Sequence, residues 1–278
     1  MINNNFFKVM VAAVMALAVQ MQAFAIDILA HRGASGEYPQ STWLAFYKAL
    51  EQGSDVLEMD VVLSKDKHII INHDKDLVRT VGIEDKIADL TLAELKQLDA
   101  GHEFTLDDGE TYPFRGQGHT LMSLRELFDY FPNLRYNIEM KQDDGEIAEV
   151  LWSVISEYGY EDRVVVAAQS SHAMGHFRDA SDGAVKTSAT IAELVGASMA
   201  WATGWGWLYK PKFDVAQIPL SMTTKPYVRF FHKKGVTVDL WTVNEPKDIE
   251  RSIDLGVDGI IGDYPDRIYS ALEARGLR

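Results

Sequence analysis

Hydrophobic residues along the chain follow two alternating patterns. Short runs rich in β-branched residues, such as "VVVAA", are apolar on both faces, which is typical of strands in a buried parallel sheet. We predict strands at 26–31, 56–63, 69–73, 135–140, 164–168, 185–191, 216–220, 237–243 and 259–262. Longer stretches have the apolar spacing of amphipathic helices. We predict helices at 41–52, 124–131, 146–158, 224–234, 247–255 and 267–275.

Strands that alternate with helices indicate a parallel sheet covered by helices. About eight such units in roughly 250 residues fit a (β/α)8 TIM barrel. A doubly wound sheet has the same alternation and is the structural alternative, but the sequence has no Gly-rich dinucleotide or phosphate-loop motif to favour it. We therefore expect one TIM-barrel domain over 26–278.

One segment, approximately 75–120, breaks this alternation. It contains "TLAELKQLDAGHEF" and the polar, Gly-rich "TLDDGETYPFRGQGHT". The first of these predicts a short helix at 92–98, because Thr91 and Glu94 have the spacing of a capping box. We interpret the segment as a small insertion on the barrel rim.

The first 25 residues have the layout of a secretory signal peptide. Lys8 precedes an apolar stretch at 9–19, and the small-residue ending Ala23-Phe24-Ala25 predicts cleavage before Ile26. An uncleaved anchor is the alternative, although the apolar stretch is shorter than the roughly 20 residues that a spanning helix needs. We expect a periplasmic or secreted protein without a stable membrane anchor after cleavage.

Composition excludes several classes of site and partner. The 278 residues include no cysteine, so disulfides, thiolate zinc sites and cysteine-linked lipid anchors are excluded. The net charge of −14 argues against nonspecific binding to nucleic acid or to anionic lipid surfaces. An anionic substrate would need a local cluster of positive charge or a metal ion. The sequence does not indicate the oligomeric state.

Ionisable residues collect where the predicted strands end, and in a barrel of this type the active site lies at the carboxyl ends of the strands. The first strand ends at His31 and Arg32. The second contains Glu58 and Asp60, which are two positions apart and so lie on the same side of the strand. His73 ends the third predicted strand, and Asp74 follows it. Each of these residues alone has a structural explanation, but together they favour a functional site.

The same pattern continues along the second half of the chain. Glu139 and Lys141 end the strand after the insertion and again share one side. Trp241 and Asp263 stand at the ends of the last two predicted strands. So many charged groups at one end of a barrel are costly to bury unless they are paired or bind a ligand.

The residue types indicate phosphate chemistry. Three carboxylates without cysteine form an oxygen-rich site suited to Mg²⁺ or Ca²⁺. A guanidinium group beside a lysine, as with Arg32 and Lys141, matches the charge and geometry of a phosphate. Two histidines, His31 and His73, can serve as general base and general acid across a P–O bond.

At these residues the chain closely resembles the glycerophosphodiester phosphodiesterase family. The matching segments are "AHRG", "AFYKALEQGSDVLEMDV", "INHDKDLVRT", "DLTLAELKQLDAG", "YNIEMK", "WTVN" and "GVDGIIGDYPD", which occur in order over nearly the whole chain. The resemblance implies a TIM barrel with a small insertion and a divalent-metal site. It also implies hydrolysis of glycerophosphodiesters to sn-glycerol 3-phosphate and an alcohol.

The resemblance further implies a role for each residue of the predicted site. The acid–base pair would be His31 and His73, the metal ligands Glu58, Asp60 and Glu139, and the phosphate contacts Arg32 and Lys141. The implied mechanism is attack on phosphorus by the 2-hydroxyl of glycerol, followed by hydrolysis of the cyclic phosphate. Trp241 is expected to stack on the glycerol.

Two features leave the substrate open. Gln40 replaces the glutamate that the family usually has at this position, so a negative charge is missing near the predicted metal. The stretch 199–211 contains Trp201, Trp205 and Trp207, which either pack a rim loop onto the barrel or form an apolar wall that contacts lipid. The alternatives to a glycerophosphodiesterase are therefore a phospholipase D-like hydrolase of lysophospholipids or sphingolipids, and a noncatalytic phosphate-ligand binding protein.

Overall fold

A computed structural model describes residues 26–278, and the predicted signal peptide lies outside this range. Twelve strands lie within these residues. They are β1 (Asp27–His31), β2 (Val56–Leu63), β3 (Ile69–Ile71), β4 (Asp76–Leu77), β5 (Ile83–Lys86), β6 (Met122–Ser123), β7 (Arg135–Met140), β8 (Val164–Ala168), β9 (Lys186–Thr187), β10 (Val215–Pro219), β11 (Thr237–Trp241) and β12 (Gly259–Gly262).

Ten α-helices connect and cover the strands of the described chain. They are α1 (Trp43–Glu51), α2 (Val78–Val81), α3 (Leu92–Leu95), α4 (Leu124–Tyr130), α5 (Gly145–Tyr158), α6 (Ser171–Ser181), α7 (Ile191–Ala202), α8 (Lys225–His232), α9 (Pro246–Leu255) and α10 (Pro265–Ala274). None of the helices in residues 26–278 is both long enough and apolar enough to cross a bilayer.

Eight parallel strands form the barrel. Their order is β10, β11, β12, β1, β2, β7, β8 and β9, and each neighbouring pair runs parallel. A parallel bridge between Ser188 and Val215 joins the two ends of this series, so the sheet closes on itself. The predicted TIM barrel is confirmed, and the doubly wound alternative is wrong.

The apolar core lies between the barrel strands and the surrounding helices. One cluster of buried residues covers the first half of the barrel, with Phe46, Phe128 and Phe177 among its members. A second cluster covers the other half and includes Phe231 and Ile260. Because the outward-facing residues supply this core, the residues that point into the barrel are free to be polar at its carboxyl end.

The third predicted strand was wrongly placed in the barrel. Strand β3 runs antiparallel to β2, with Ile70 opposite Val62, and it also pairs with β6. The chain therefore turns back at the end of β2 and returns toward the barrel mouth. This hairpin brings His73 beside the site from a strand that is not one of the eight.

Three helices were missing from the sequence prediction: the one-turn helix α2 in the insertion, α6 and α7. Helix α6 follows Ser170, its N-cap residue, whose hydroxyl accepts from the backbone N–H of His172. Helix α7 begins where a strand at 185–191 was predicted. A capping box of Thr190 and Glu193 starts this helix, and only Lys186–Thr187 remains as strand.

The segment at 75–120 packs on its own apolar cluster. Leu77, Ile87 and Leu95 are fully buried there against Ile70 of β3. The predicted capping box of Thr91 and Glu94 is present, and the helix that it starts is Leu92–Leu95, shorter than the predicted 92–98.

Candidate active site

One cavity of about 570 Å³ lies at the carboxyl end of the barrel. Seven of the eight residues predicted for the site line it: His31, Arg32, Glu58, His73, Glu139, Lys141 and Trp241. Asp60 is buried just below, where it contacts Arg32 and Lys141. The predicted residues therefore come together, although they originate from four barrel strands and one hairpin.

The turn after β1 is built to hold Arg32 in place. Arg32 and Gly33 both have positive φ values, 57° and 83°. A Cβ atom on Gly33 would lie 2.6 Å from the backbone carbon of Ala45, so only glycine fits between the turn and helix α1. The backbone N–H of Arg32 donates to the Glu58 carboxylate at 3.0 Å. The turn is thereby fixed against β2.

His31 is oriented by a carboxylate from the other end of the chain. Its Nδ1–H donates to Oδ1 of Asp263 at 2.6 Å. Ser35 donates to the same oxygen at 2.9 Å, and Asn244 donates to Oδ2 at 2.5 Å. Burial lowers the pKa of His31, but the hydrogen bond to Asp263 and the charge of Glu58 outweigh it and raise the pKa above 6.5.

His73 has a similar arrangement with a local partner. Its Nδ1 lies 2.7 Å from Asp74 and 3.0 Å from Nη2 of Arg79, which donates to the same carboxylate oxygen at 2.7 Å. The buried Asn72 side chain donates to the backbone oxygens of Asp74 and Asp76, which shapes this turn. Burial lowers the pKa of His73, and this effect exceeds the opposing effect of the nearby Asp60 charge.

Asp60 holds the two cationic side chains of the site. Nε of Arg32 lies 2.8 Å from Asp60 as an ion pair, and Nζ of Lys141 lies 2.9 Å from its other oxygen. Lys141 also lies 3.1 Å from Glu139. Burial raises the pKa of Asp60, but the charges of Lys141 and Arg32 outweigh it and lower the pKa below 3.8.

Glu58 and Glu139 are buried with less compensation. Burial and the charge of Asp60 raise the pKa of Glu58 to about 7. Burial also raises the pKa of Glu139, and its Oε1 atom is buried without a hydrogen-bond partner. An additional positive charge would stabilise both carboxylates in their ionised form. These carboxylate oxygens are therefore chemically suited to binding a hard cation.

Two of these carboxylates, Asp60 and Glu139, form ion pairs with the cationic side chains of the site. Within residues 26–278, no three His, Cys, Asp or Glu side chains are placed as ligands around a single point. The assignment of Glu58, Asp60 and Glu139 as ligands of one ion stays a prediction. Gln40 contacts this group through Arg32, whose Nη1 donates to its side-chain oxygen at 3.0 Å.

The tryptophans divide into two groups. Trp241 lines the cavity at the end of β11, as predicted from its strand-end position. Trp201 packs against Tyr227 of α8 with ring centres 5.0 Å apart, whereas Trp205 and Trp207 are exposed. None of these last three lines the cavity. Its apolar wall comes instead from α7, the helix that the sequence pattern did not predict.

The orienting carboxylates are the functional residues that sequence reasoning identified least well. The sequence pattern places both Asp74 and Asp263 at strand ends but does not indicate that either pairs with a histidine. Asp74 is adjacent to His73, so adjacency could have suggested the pair. Asp263 is 232 positions from His31, and only the closure of β12 against β1 brings the two together.

Comparison with known proteins identifies the family of this chain. A family model described as the glycerophosphoryl diester phosphodiesterase family matches residues 31–267. A glycerophosphodiester phosphodiesterase from Caldanaerobacter subterraneus subsp. tengcongensis is 30% identical over 254 residues, which are 90% of this chain and 98% of that protein. The human lysophospholipase D GDPD3 is 24% identical over 91% of this chain and 87% of its own length.

A solved structure extends the similarity to three dimensions. The structure of an Oleispira antarctica phosphodiesterase in complex with the product sn-glycerol-3-phosphate has a TM-score of 0.75 and 26% identity to this chain. The match covers 90% of this chain and 98% of the other. With the family model matching from His31 to Arg267, the resemblance seen in the sequence is confirmed. The chain belongs to the glycerophosphoryl diester phosphodiesterase family.

Proposed function

We propose that this protein hydrolyses glycerophosphodiesters to sn-glycerol 3-phosphate and an alcohol, using a divalent cation and two histidines. The observation that carries the proposal is the convergence of two carboxylate-bound histidines, two cationic side chains and two carboxylates on one cavity, with the third carboxylate, Asp60, buried just below them. The product-bound relative from Oleispira antarctica supports the same product here.

The phosphate would bind to Arg32 and Lys141. Both side chains are held by Asp60, so they keep a defined position before a substrate arrives. In an otherwise acidic protein, these two cations provide the local positive charge that a phosphodiester needs. They would also stabilise the charge that develops on the phosphoryl oxygens during the reaction.

The histidines would transfer the protons. Each uses Nδ1–H to donate to a carboxylate, Asp263 for His31 and Asp74 for His73, so each keeps Nε2 for the substrate. One imidazole would accept the proton of the glycerol 2-hydroxyl as this oxygen attacks phosphorus. The other would donate a proton to the departing alcohol, and hydrolysis of the cyclic phosphate would complete the reaction.

We infer that Glu58, Asp60 and Glu139 hold a divalent cation, Mg²⁺ or Ca²⁺. The partnerless Oε1 of Glu139 and the raised pKa of Glu58 support this inference, because Lys141 pairs only with the other oxygen of Glu139 and the nearby His31 and Arg32 do not offset the burial of Glu58. The cation would supply Lewis-acid stabilisation of the phosphoryl charge.

The test of this function is product analysis by phosphorus NMR for glycerol 3-phosphate and by proton NMR for choline. Purified protein lacking residues 1–25 is incubated with glycerophosphocholine and a divalent cation, with and without EDTA. We expect glycerol 3-phosphate and choline to form only without EDTA. Absence of turnover with every supplied cation would instead favour the noncatalytic phosphate-binding alternative.

The histidine roles are tested with His31→Ala and His73→Ala. We expect each substitution to abolish turnover while the thermal unfolding transition is retained, because neither imidazole is part of the apolar core. His68→Ala is the matched control, since this histidine lies at the β2–β3 turn and is absent from the cavity lining. Near-normal turnover in either site variant would remove that residue from proton transfer.

We also propose that the protein is exported to the periplasm or secreted. The support is the sequence of residues 1–25, with Lys8, an apolar stretch and a small-residue ending. Amino-terminal sequencing of the exported protein is expected to begin at Ile26. Recovery of the protein only in the cytoplasm, with residues 1–25 retained, would contradict the proposal.

A further inference from the structure

Helix α7 exposes apolar side chains along one face. Among its residues only Ala197 is buried. Ile191, Val195 and Met199 are 57%, 53% and 64% exposed. Because they follow each other at intervals of four, they form one stripe along the helix surface, which we call the α7 stripe.

The α7 stripe is continuous with the candidate active site. All three of its residues line the cavity, together with Leu194 and the exposed Met222. The other end of this cavity is lined by the histidines, the carboxylates and the two cationic side chains. The cavity therefore has a charged end that suits a phosphodiester and an apolar wall that extends away from it.

Polar contacts hold α7 in this orientation. Glu193 closes the capping box with Thr190 and also pairs with Arg178 of α6 at 2.7 Å. Further along the helix, the Ser198 hydroxyl lies 2.7 Å from the hydroxyl of Tyr227 in α8. The helix is thus fixed between its two neighbours, and the exposure of the stripe is a built feature of the barrel mouth.

The charge around the helix also distinguishes this region. Glu193, the one acidic residue of α7, is paired with Arg178, and residues 194–213 contain no aspartate or glutamate but include Lys210 and Lys212, in a chain whose net charge is −14. An amphiphile with a phosphate group therefore meets less electrostatic repulsion here than on the average surface of the protein. An exposed apolar surface of this kind at a cavity mouth is typical of a binding site.

We infer that the α7 stripe binds the acyl chain of a single-chain phospholipid whose phosphodiester lies at the charged end of the cavity. The inference rests on the proposed function, which places the phosphate at Arg32 and Lys141. The proposed attack needs a free glycerol 2-hydroxyl, so one acyl chain is compatible with turnover and two are not. From Ile191 to Met199 the stripe rises about 12 Å, which corresponds to an extended chain of about ten carbons.

The first experiment measures binding without turnover. Alkyl phosphocholines with hexyl, octyl, decyl and dodecyl chains lack the glycerol 2-hydroxyl, so the proposed mechanism cannot cleave them. Their dissociation constants are measured by calorimetry below the critical micelle concentrations. A methylene fully removed from water strengthens binding about fourfold, so we expect a two- to fourfold gain per methylene up to about ten carbons.

A double variant tests whether this gain in affinity per methylene, the chain-length slope, comes from the α7 stripe. Val195→Asn with Met199→Gln is expected to remove most of the chain-length dependence while leaving binding of the hexyl compound within about threefold. Leu106→Gln is the matched control, because this exposed leucine is in the insertion and does not line the cavity. Affinity that is independent of chain length in the wild type, or a slope unchanged in the double variant, would overturn the inference.

Turnover of two substrates separates this inference from the proposed function. We expect the wild type to hydrolyse both glycerophosphocholine and lysophosphatidylcholine. The double variant is expected to retain kcat/KM for the first within about twofold and to lose about tenfold for the second. Turnover of glycerophosphocholine with a flat chain-length series would refute only the acyl-chain inference. A steep series without turnover of any diester would refute the proposed function and leave the lipid-binding surface standing.

Discussion

The two histidines of the site are placed by different kinds of contact. His73 has its carboxylate partner next to it in the sequence, and Arg79 on the following helix steadies that partner. His31 depends on Asp263, which is itself held by Ser35 and Asn244. A strand-end histidine can be identified from sequence, but a partner on the last strand is visible only once the barrel is closed.

Asp263→Asn tests this dependence. We expect kcat to fall about 10–100-fold with KM changed less than about threefold, because the imidazole loses the acceptor that fixes its Nδ1–H. The hydrogen bond to Asp263 raises the pKa of His31, so the limb of the pH–rate profile that reports His31 should move to lower pH. The measurement is kcat against pH on glycerophosphocholine.

The matched control is Asp258→Asn. Asp258 accepts from His232 at 2.7 Å in a carboxylate–histidine pair that does not line the cavity. We expect this variant to keep the wild-type kcat and pH profile. An Asp263→Asn profile that coincides with the wild type would remove Asp263 from any role in positioning His31.

Gln40 offers a test of the carboxylate cluster. In the wild type the guanidinium of Arg32 pairs with Asp60 and donates to Gln40. In Gln40→Glu the new carboxylate competes with Asp60 for this guanidinium. Asp60 then has more negative charge available for a cation, so we expect Mg²⁺ or Ca²⁺ to bind about tenfold more tightly. The measurement is the cation dissociation constant by calorimetry.

Gln97→Glu controls for added charge alone. Gln97 is exposed in the insertion and does not line the cavity, so its variant carries the same extra charge at a remote position. We expect cation affinity close to that of the wild type. Equal affinities in both variants and the wild type would contradict the predicted ligand set.

At the scale of single elements, the turn after β1 is the most demanding piece of the site. Gly33 in this turn has a positive φ and also lies against the backbone of α1. Gly159, at the end of α5, has a positive φ of 64° but no atom within 4 Å of the position that a Cβ would occupy. Both glycines therefore need a positive φ, but only Gly33 also has no space for a Cβ atom.

Gly33→Ala and Gly159→Ala separate these constraints. We expect Gly159→Ala to lower the free energy of unfolding by about 1–2 kcal/mol, the cost of a left-handed conformation. Gly33→Ala should cost at least about 3 kcal/mol and also lower turnover, because the turn must move away from α1. The measurement is urea unfolding of both variants. Equal losses of stability would show that the close approach to Ala45 has no energetic effect.

The elements that the pattern predicted best are the buried barrel strands. The predicted bounds of β2, β7, β8 and β12 match the structure, because parallel strands buried on both faces leave long apolar runs. The apolar face of α7 points to the cavity, and its first turn follows directly on a β-branched run. The pattern of apolar residues therefore indicated a strand at 185–191 and no helix after it. The direction of β3 depends on a hairpin, and apolar pattern alone does not distinguish a returning strand from a barrel strand.

At the scale of the whole molecule, polar residues also line the barrel below the site. Gln217 of β10 donates to Asn137 of β7 at 2.8 Å across the barrel interior. Asp239 of β11 is nearby, and burial raises its pKa to about 7 despite a hydrogen bond to Gln217, which lowers it. This carboxyl is therefore a source of pH dependence in the stability of the entire barrel.

Asp239→Asn tests that source. The folded-state pKa lies above the ordinary value of 3.8, so the stability associated with the neutral carboxyl is complete at low pH and is lost as pH rises through about 7. We expect the variant to gain stability relative to the wild type by roughly 2–3 kcal/mol between about pH 5 and about pH 8. The measurement is urea unfolding at several pH values. A difference that does not change with pH would contradict the raised pKa.

The convergence of the site residues could be predicted because parallel barrel strands bring their carboxyl ends to one mouth. This rule placed His31, Glu58 and Glu139 together although they are far apart in sequence. It did not predict that Asp60 would pair with both Arg32 and Lys141, since such pairing depends on side-chain geometry. Nor did it predict the apolar wall, which belongs to a helix.

The most direct test of the central claim is a crystal structure of the protein with Mn²⁺ and glycerol 3-phosphate, with the ion located by its anomalous scattering. We expect one ion bound by Glu58, Asp60 and Glu139, with the phosphate in contact with Arg32 and Lys141 and within reach of both imidazoles. An ion bound away from these carboxylates, or a phosphate bound outside the cavity, would contradict the account.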